Sequence, residues 1–146
     1  MRKADLLDEL RSEVGVVSDK SYGEIDKLYQ FVCHILSEKV PVYQCVSIYL
    51  AKSAIFQCKY HNGCRLLPDV IPFGEGFLSL AAVRGGVVRE KRGGRTEVFV
   101  PFYQGHHLIG ELVVIGKPGG VIDDEDVSLF CELASLFETK VKECNS

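Results

Sequence analysis

The sequence predicts an α+β fold: an antiparallel sheet with helices drawn from both ends of the chain. Three observations lead there. Apolar residues recur at helical spacing near the start and the end of the chain. The middle is a series of β-rich runs joined by short turns. Both faces of the first two runs are substantially apolar, so the sheet is expected to be covered on both sides.

Leu6, Leu7, Leu10 and Val14 predict a short amphipathic helix over residues 3–14, with a loop from Gly15 to Ser21. Ser21 followed three residues later by Glu24 has the pattern of a capping box. The helix it would open runs from about Tyr22 to Lys39 on an apolar face of Ile25, Leu28, Tyr29, Val32, Ile35 and Leu36. Val40-Pro41 ends it, because the residue before proline avoids the helical region.

Strands follow at Cys45–Leu50 and Ile55–Tyr60. A Lys52-Ser53 turn between them would put Cys45, Ser47 and Tyr49 on one face with Phe56, Cys58 and Tyr60. His61-Asn62-Gly63 reads as a turn and Leu66–Ile71 as a short extended piece. Phe77–Arg84 is a helix stopped by Gly85-Gly86. Val87–Glu90 is a short strand, and Lys91–Arg95 (KRGGR) a basic glycine-rich turn. Glu97–Tyr103 and Leu108–Ile115 form a hairpin around Gln104-Gly105-His106-His107. The last helix spans Asp123 to about Glu143, opened by acids that suit a helix N-terminus.

The 146 residues suit a single domain, 1–146, with an N-terminal helix and loop (1–20) before a core (21–143). A net charge of −3 gives no electrostatic reason to expect nucleic acid or an anionic membrane as partner. No apolar run approaches the roughly 18 residues of a membrane helix, and the charged N-terminus lacks a signal-peptide core. A cytoplasmic location is expected. Its reducing conditions would leave Cys33, Cys45, Cys58, Cys64, Cys131 and Cys144 as thiols.

Three stretches, in this order and spacing, resemble the GAF family. They are Val46–Leu50; Ile71-Pro72-Phe73-Gly74-Glu75-Gly76 with Ala81-Ala82; and Val98–Phe102, Leu108–Leu112 and Asp124-Glu125-Asp126. The resemblance covers about residues 21–141. It implies a GAF-like antiparallel sheet with a helical layer from both termini on one face and a ligand pocket on the other. Within the family the sequence is most similar to the stand-alone bacterial branch that reduces free methionine-(R)-sulfoxide. That chemistry requires an attacking thiolate and a second thiol to resolve the sulfenic acid. The resemblance places one cysteine just after the second glycine of IPFGxG, where this chain has Phe77-Leu78-Ser79. It places the attacking cysteine in the loop before the TEVFVP strand, where this chain has Lys91–Arg95. The branch's strand aspartates match Val113 and Ile115, and of its pocket carboxylates only Glu97 has a clear counterpart.

The remaining constellations have plainer readings. Cys58-x2-His61-x2-Cys64 offers zinc three ligands of the four that a structural site takes, so no metal is expected. Cys33-His34 resembles the pair by which some GAF photoreceptors hold a bilin, but it falls on the opening helix, away from the pocket. No cofactor is expected. His106-His107 sits at a hairpin tip with no nucleophile to serve. Gly74-x-Gly76 lacks the spacing of a phosphate loop. The Lys91–Arg95 cluster would meet an anionic ligand or, more simply, solvent.

The expected function is small-molecule binding or sensing, in signalling or regulation, without catalysis. The ligand-binding residues would be Tyr49, Phe56, Tyr60, Phe73, Phe77, Glu97, Phe99, Val113 and Ile115. The alternative is a divergent reductase using displaced cysteines, Cys58 or Cys64. The wide apolar arc of the last helix, together with the Leu6–Leu10 stripe, predicts a homodimer through the terminal helices. With no output domain in these residues, a signal would pass to a separate signalling protein.

Overall fold

A computed structural model describes residues 2–21 and 23–144. Tyr22, the predicted start of the second helix, lies outside them. The chain runs α1 (Lys3–Lys20), α2 (Ile25–Lys39), β1 (Tyr43–Lys52), β2 (Ile55–Gly63), β3 (Val70–Pro72), α3 (Gly76–Arg84), β4 (Val88–Arg92), β5 (Arg95–Gln104), β6 (His107–Gly116) and α4 (Asp124–Cys144). The strands make one antiparallel sheet in the order β3-β2-β1-β6-β5-β4. The architecture is the α+β sandwich the sequence predicts.

Strand alternation divides the interior into two cores. Val46 and Ile48 of β1, Val98, Val100 and Phe102 of β5, and Leu112 and Val114 of β6 face α1, α2 and α4. Cys45 and Tyr49, Phe99, and Val113 and Ile115 face the other way, toward α3 and the segment before β3. Two apolar faces on one strand require cover on both sides. Three helices supply it on one face, and α3 with residues 66–71 on the other.

Several boundaries differ from the sequence reading. Helix α1 runs six residues past Val14, because Gly15 continues it and Ser18 is buried within it. No capping box opens α2. Glu24 precedes the helix without a side-chain cap, and its N–H donates to the Ser21 carbonyl at 2.9 Å. His61-Asn62-Gly63 continues β2 rather than turning. Ser53-Ala54 forms the β1–β2 turn, one residue later than expected. That shift moves the register by two residues and leaves the faces unchanged.

Asp126 ties the chain's beginning to its end. It accepts the Asp123 N–H at 2.9 Å while Asp123 accepts from the Glu125 N–H at 3.1 Å, so the two acids cap α4. The Tyr43 hydroxyl donates to Asp126, and Lys3 pairs with it. Leu7, Leu10 and Val14 of α1 are buried in the same core as Leu129, Leu133 and Phe137 of α4. The apolar stripe that suggests a dimer is therefore covered within one chain. Val127, Cys131 and Leu136 are packed against that core as half-buried residues. No described helix is long and apolar enough to cross a membrane.

Candidate functional site

The face away from α1, α2 and α4 carries a cleft of about 230 Å³ between α3, residues 67–72 and β5. Phe77 and Phe99 form its aromatic wall, with ring centroids 5.7 Å apart and rings tilted by 47°. Leu78, Ile71 and Pro68 add apolar lining, and Arg92 and Glu75 supply the charged groups. Ligand pockets commonly enclose ~300–1,000 Å³, so the cleft is small for one.

Arg92 sets its electrostatics. Its Nε and Nη2 donate to the two oxygens of Glu97 at 3.0 and 2.9 Å, a bidentate pair. The guanidinium also lies over the Phe77 ring, 5.3 Å from the centroid. The hairpin explains the contact. Arg92 pairs with Arg95 across the Gly93-Gly94 turn, and Glu97 follows two residues on, along the same face of β5. KRGGR is thus not a freely solvated loop. Lys91 and Arg92 belong to β4, and Arg95 donates to the Gln44 side chain at 3.1 Å.

The nine predicted ligand-binding residues divide five ways. Phe77 and Phe99 line the cleft. Glu97, 5% exposed, lies behind Arg92 with both oxygens engaged. Phe73 is at the surface, its ring 4.6 Å from that of Phe56. Tyr49, Phe56, Val113 and Ile115 are each at most 1% exposed and form a packed floor. The Tyr49 hydroxyl is engaged as well, donating to the Pro68 carbonyl at 2.6 Å.

Tyr60 is on the opposite face. The β1–β2 register runs Tyr49 with Cys58 and then Ile48 with Tyr60, so Lys59 is bulged out of the ladder. One extra residue reverses the facing of everything after it. Tyr60 consequently packs near Tyr29, centroids 6.1 Å apart, and donates to Asp26 of α2 at 2.8 Å. His61 takes the facing expected of Tyr60. Its Nε2–H donates to the Gly63 carbonyl at 3.0 Å, which leaves Nδ1 to accept from Ser47 Oγ at 2.8 Å. Both ring nitrogens of the Cys58-x2-His61-x2-Cys64 grouping are thereby committed.

The structure adds two candidates to the nine. Arg92 finds Glu97 only through the hairpin. Glu111 is fully buried on the cleft face of β6, opposite Tyr49 of β1 and Pro101 of β5. Among the described residues, its two carboxyl oxygens are the buried side-chain polar atoms without a hydrogen-bond partner. Burial pushes its carboxyl up from 4.5 to about 9, so it holds its proton at neutral pH. An acid inside the apolar run LIGELVVI is the signal that marks it.

No protein-family model matches the chain, and no curated protein matches it by sequence. Solved structures do match. A free methionine-(R)-sulfoxide reductase from Neisseria meningitidis, in complex with its substrate, superposes with a TM-score of 0.87 at 21% identity, over 99% of this chain and 93% of that one. A type II free methionine-(R)-sulfoxide reductase from Thermoplasma acidophilum gives a TM-score of 0.72 at 23% identity, over 82% and 92%. The GAF domain of a phosphoenolpyruvate-protein phosphotransferase from Coxiella burnetii gives 0.81 at 14% identity, over 99% and 97%. The fold is therefore the GAF fold, as the three sequence stretches imply.

Proposed function

We infer that the chain is a small-molecule binding or sensing module, acting in signalling or regulation without chemistry of its own. The cleft lining carries this reading: two aromatic rings, aliphatic side chains and an internally paired arginine, with no thiol among them. The positions where the sequence resemblance calls for cysteines hold other chemistry. Leu78 is 1% exposed in the second core, and Arg92 is fixed on Glu97. Burial also pushes the thiols of Cys45 and Cys58 above their ordinary range, which opposes thiolate formation. A reductase using Cys58 or Cys64 is the competing reading, supported by the likeness to two reductase structures. Passing a signal to a partner protein is part of the reading offered here.

The test is an amide-resolved NMR titration with a panel of small aromatic and aliphatic metabolites. Shifts are expected at α3, β5 and residues 67–72, and Phe77→Ala should weaken binding. Saturable shifts confined to the other face of the sheet would overturn the assignment.

A further inference from the structure

Facing pairs on the cleft side of β5 and β6 run Glu97 with Ile115, Phe99 with Val113, and Pro101 with Glu111. An acid thus stands at each end of an aromatic floor. Glu97 and Glu111 are separated by two successive pairs, about 14 Å at ~3.4 Å per residue. The two acids are in opposite conditions. Glu97 has a cation, since Arg92 holds both its oxygens. Glu111 has no hydrogen-bond partner among the described residues and no exposure. An unpartnered buried carboxyl costs its full desolvation penalty, and the fold offers it nothing in return.

The cover over this floor is one short helix, with Phe77, Leu80 and Ala82 packed half-buried against the same core. Helix α3 has nine residues, of which Leu78 and Ala81 are buried. Gly74 before it and Gly76 at its first position have positive φ with open space around them, and Gly85 after it has positive φ with the Tyr103 hydroxyl 4.0 Å from where a Cβ would stand. A single short helix between glycines of positive φ is the kind of element that can open locally.

We propose that the space beneath α3 is a closed ligand compartment with Glu111 as its anchor, and that it admits a small primary amine with an apolar body. This rests on the binding-module reading and specifies its ligand. Lifting α3 exposes an apolar floor of Tyr49, Phe99 and Val113 beside one unsatisfied carboxyl. An ammonium group supplies the donors and the charge that the carboxyl lacks, and the aromatic floor takes the apolar body. Glu111 releases its proton to solvent as the ammonium enters, so binding liberates one proton. Other titratable groups lie near it. Tyr49 on β1 and Tyr103 on β5 are pushed up, first by burial, and their hydroxyls donate to backbone carbonyls. Glu138 of α4 accepts the Tyr103 N–H at 2.8 Å. The buried α3 residues, Leu78 and Ala81, carry no titratable group.

The experiment is calorimetric titration of the whole chain with benzylamine, benzyl alcohol and benzoate, from about pH 6 to about pH 8, in two buffers of different ionisation enthalpy. Benzylamine is expected to bind in preference to the other two. Its affinity should rise about tenfold per pH unit, with one proton released. Glu111→Gln should lose at least about tenfold in benzylamine affinity and abolish the pH dependence. Should that variant fail to fold, proton release by the wild-type chain decides alone. Equal affinity for benzyl alcohol and benzylamine, a Glu111→Gln variant that binds benzylamine normally, or no benzylamine binding would each overturn the proposal. Benzoate or benzyl alcohol binding that is lost in Phe77→Ala and intact in Glu111→Gln would overturn it while leaving the binding-module reading in place.

Discussion

Replacing Glu111 by glutamine should change how stability depends on pH. The native carboxyl titrates near 9 and the unfolded one near 4.5. Between those values the native state keeps a proton that the unfolded chain has released. The unfolded state binds fewer protons, so stability falls as pH rises. The contribution is fully present below about 4.5 and is lost as pH approaches about 9. The slope is ~1.4 kcal/mol per pH unit for one such group. From about pH 6 to about pH 8 the wild-type chain should therefore lose ~2.7 kcal/mol that the variant keeps. At ~2–4 °C per kcal/mol for a chain of this size, the wild-type melting midpoint should fall by ~5–10 °C more across that range. Urea titrations of both proteins at several pH values measure it directly, and groups other than Glu111 cancel in the difference. Parallel pH profiles would show that Glu111 is ionised in the native state. The account of a closed compartment around a neutral acid would then fail.

Three further outcomes follow from the packing. Gly110→Ala should cost more than Gly76→Ala in thermal melts. A Cβ at Gly110 would stand 2.3 Å from the Tyr49 carbonyl oxygen and must move backbone, whereas Gly76 has open space and only its φ of +70° to satisfy; ~2–3 kcal/mol against ~1–2 kcal/mol is expected. Asp126→Ala should cost ~3 kcal/mol in urea unfolding, because the Tyr43 hydroxyl and the Asp123 N–H lose their acceptor and Lys3 loses one of its two carboxylate partners, keeping Asp123; no measurable loss would mean that these contacts are dispensable. Sedimentation at micromolar concentration should give a monomer near 16.2 kDa, since α1 and α4 share one core; a stable dimer would show that another surface mediates association.

The fold was legible because both cores are written in strand alternation. Val98, Val100 and Phe102 point one way and Phe99 the other, and a period of two in a doubly apolar run demands two covers. The helical layer was legible from the stripes of α2 and α4. The site was legible only in part. That Phe77 and Phe99 line the cleft follows from their aromatic character and from elements whose facing the pattern sets. Tyr60 was misplaced by a bulge at Lys59, and no residue type in that strand announces an extra residue. Arg92 stands in the sequence only as part of the basic Lys91–Arg95 cluster, because its pairing with Glu97, five residues away across a turn, depends on hairpin register. Glu111 was the most readable omission, a charged residue at an inward position of an otherwise apolar strand.

The central claim, a GAF-fold module that binds without reducing, is tested most directly by a thioredoxin-coupled assay of NADPH consumption on free methionine-(R)-sulfoxide. The account predicts no consumption above the enzyme-free rate. Turnover at ordinary enzyme rates, about 1 per second or more, abolished by Cys58→Ser or Cys64→Ser, would contradict it and establish the displaced-cysteine reductase instead.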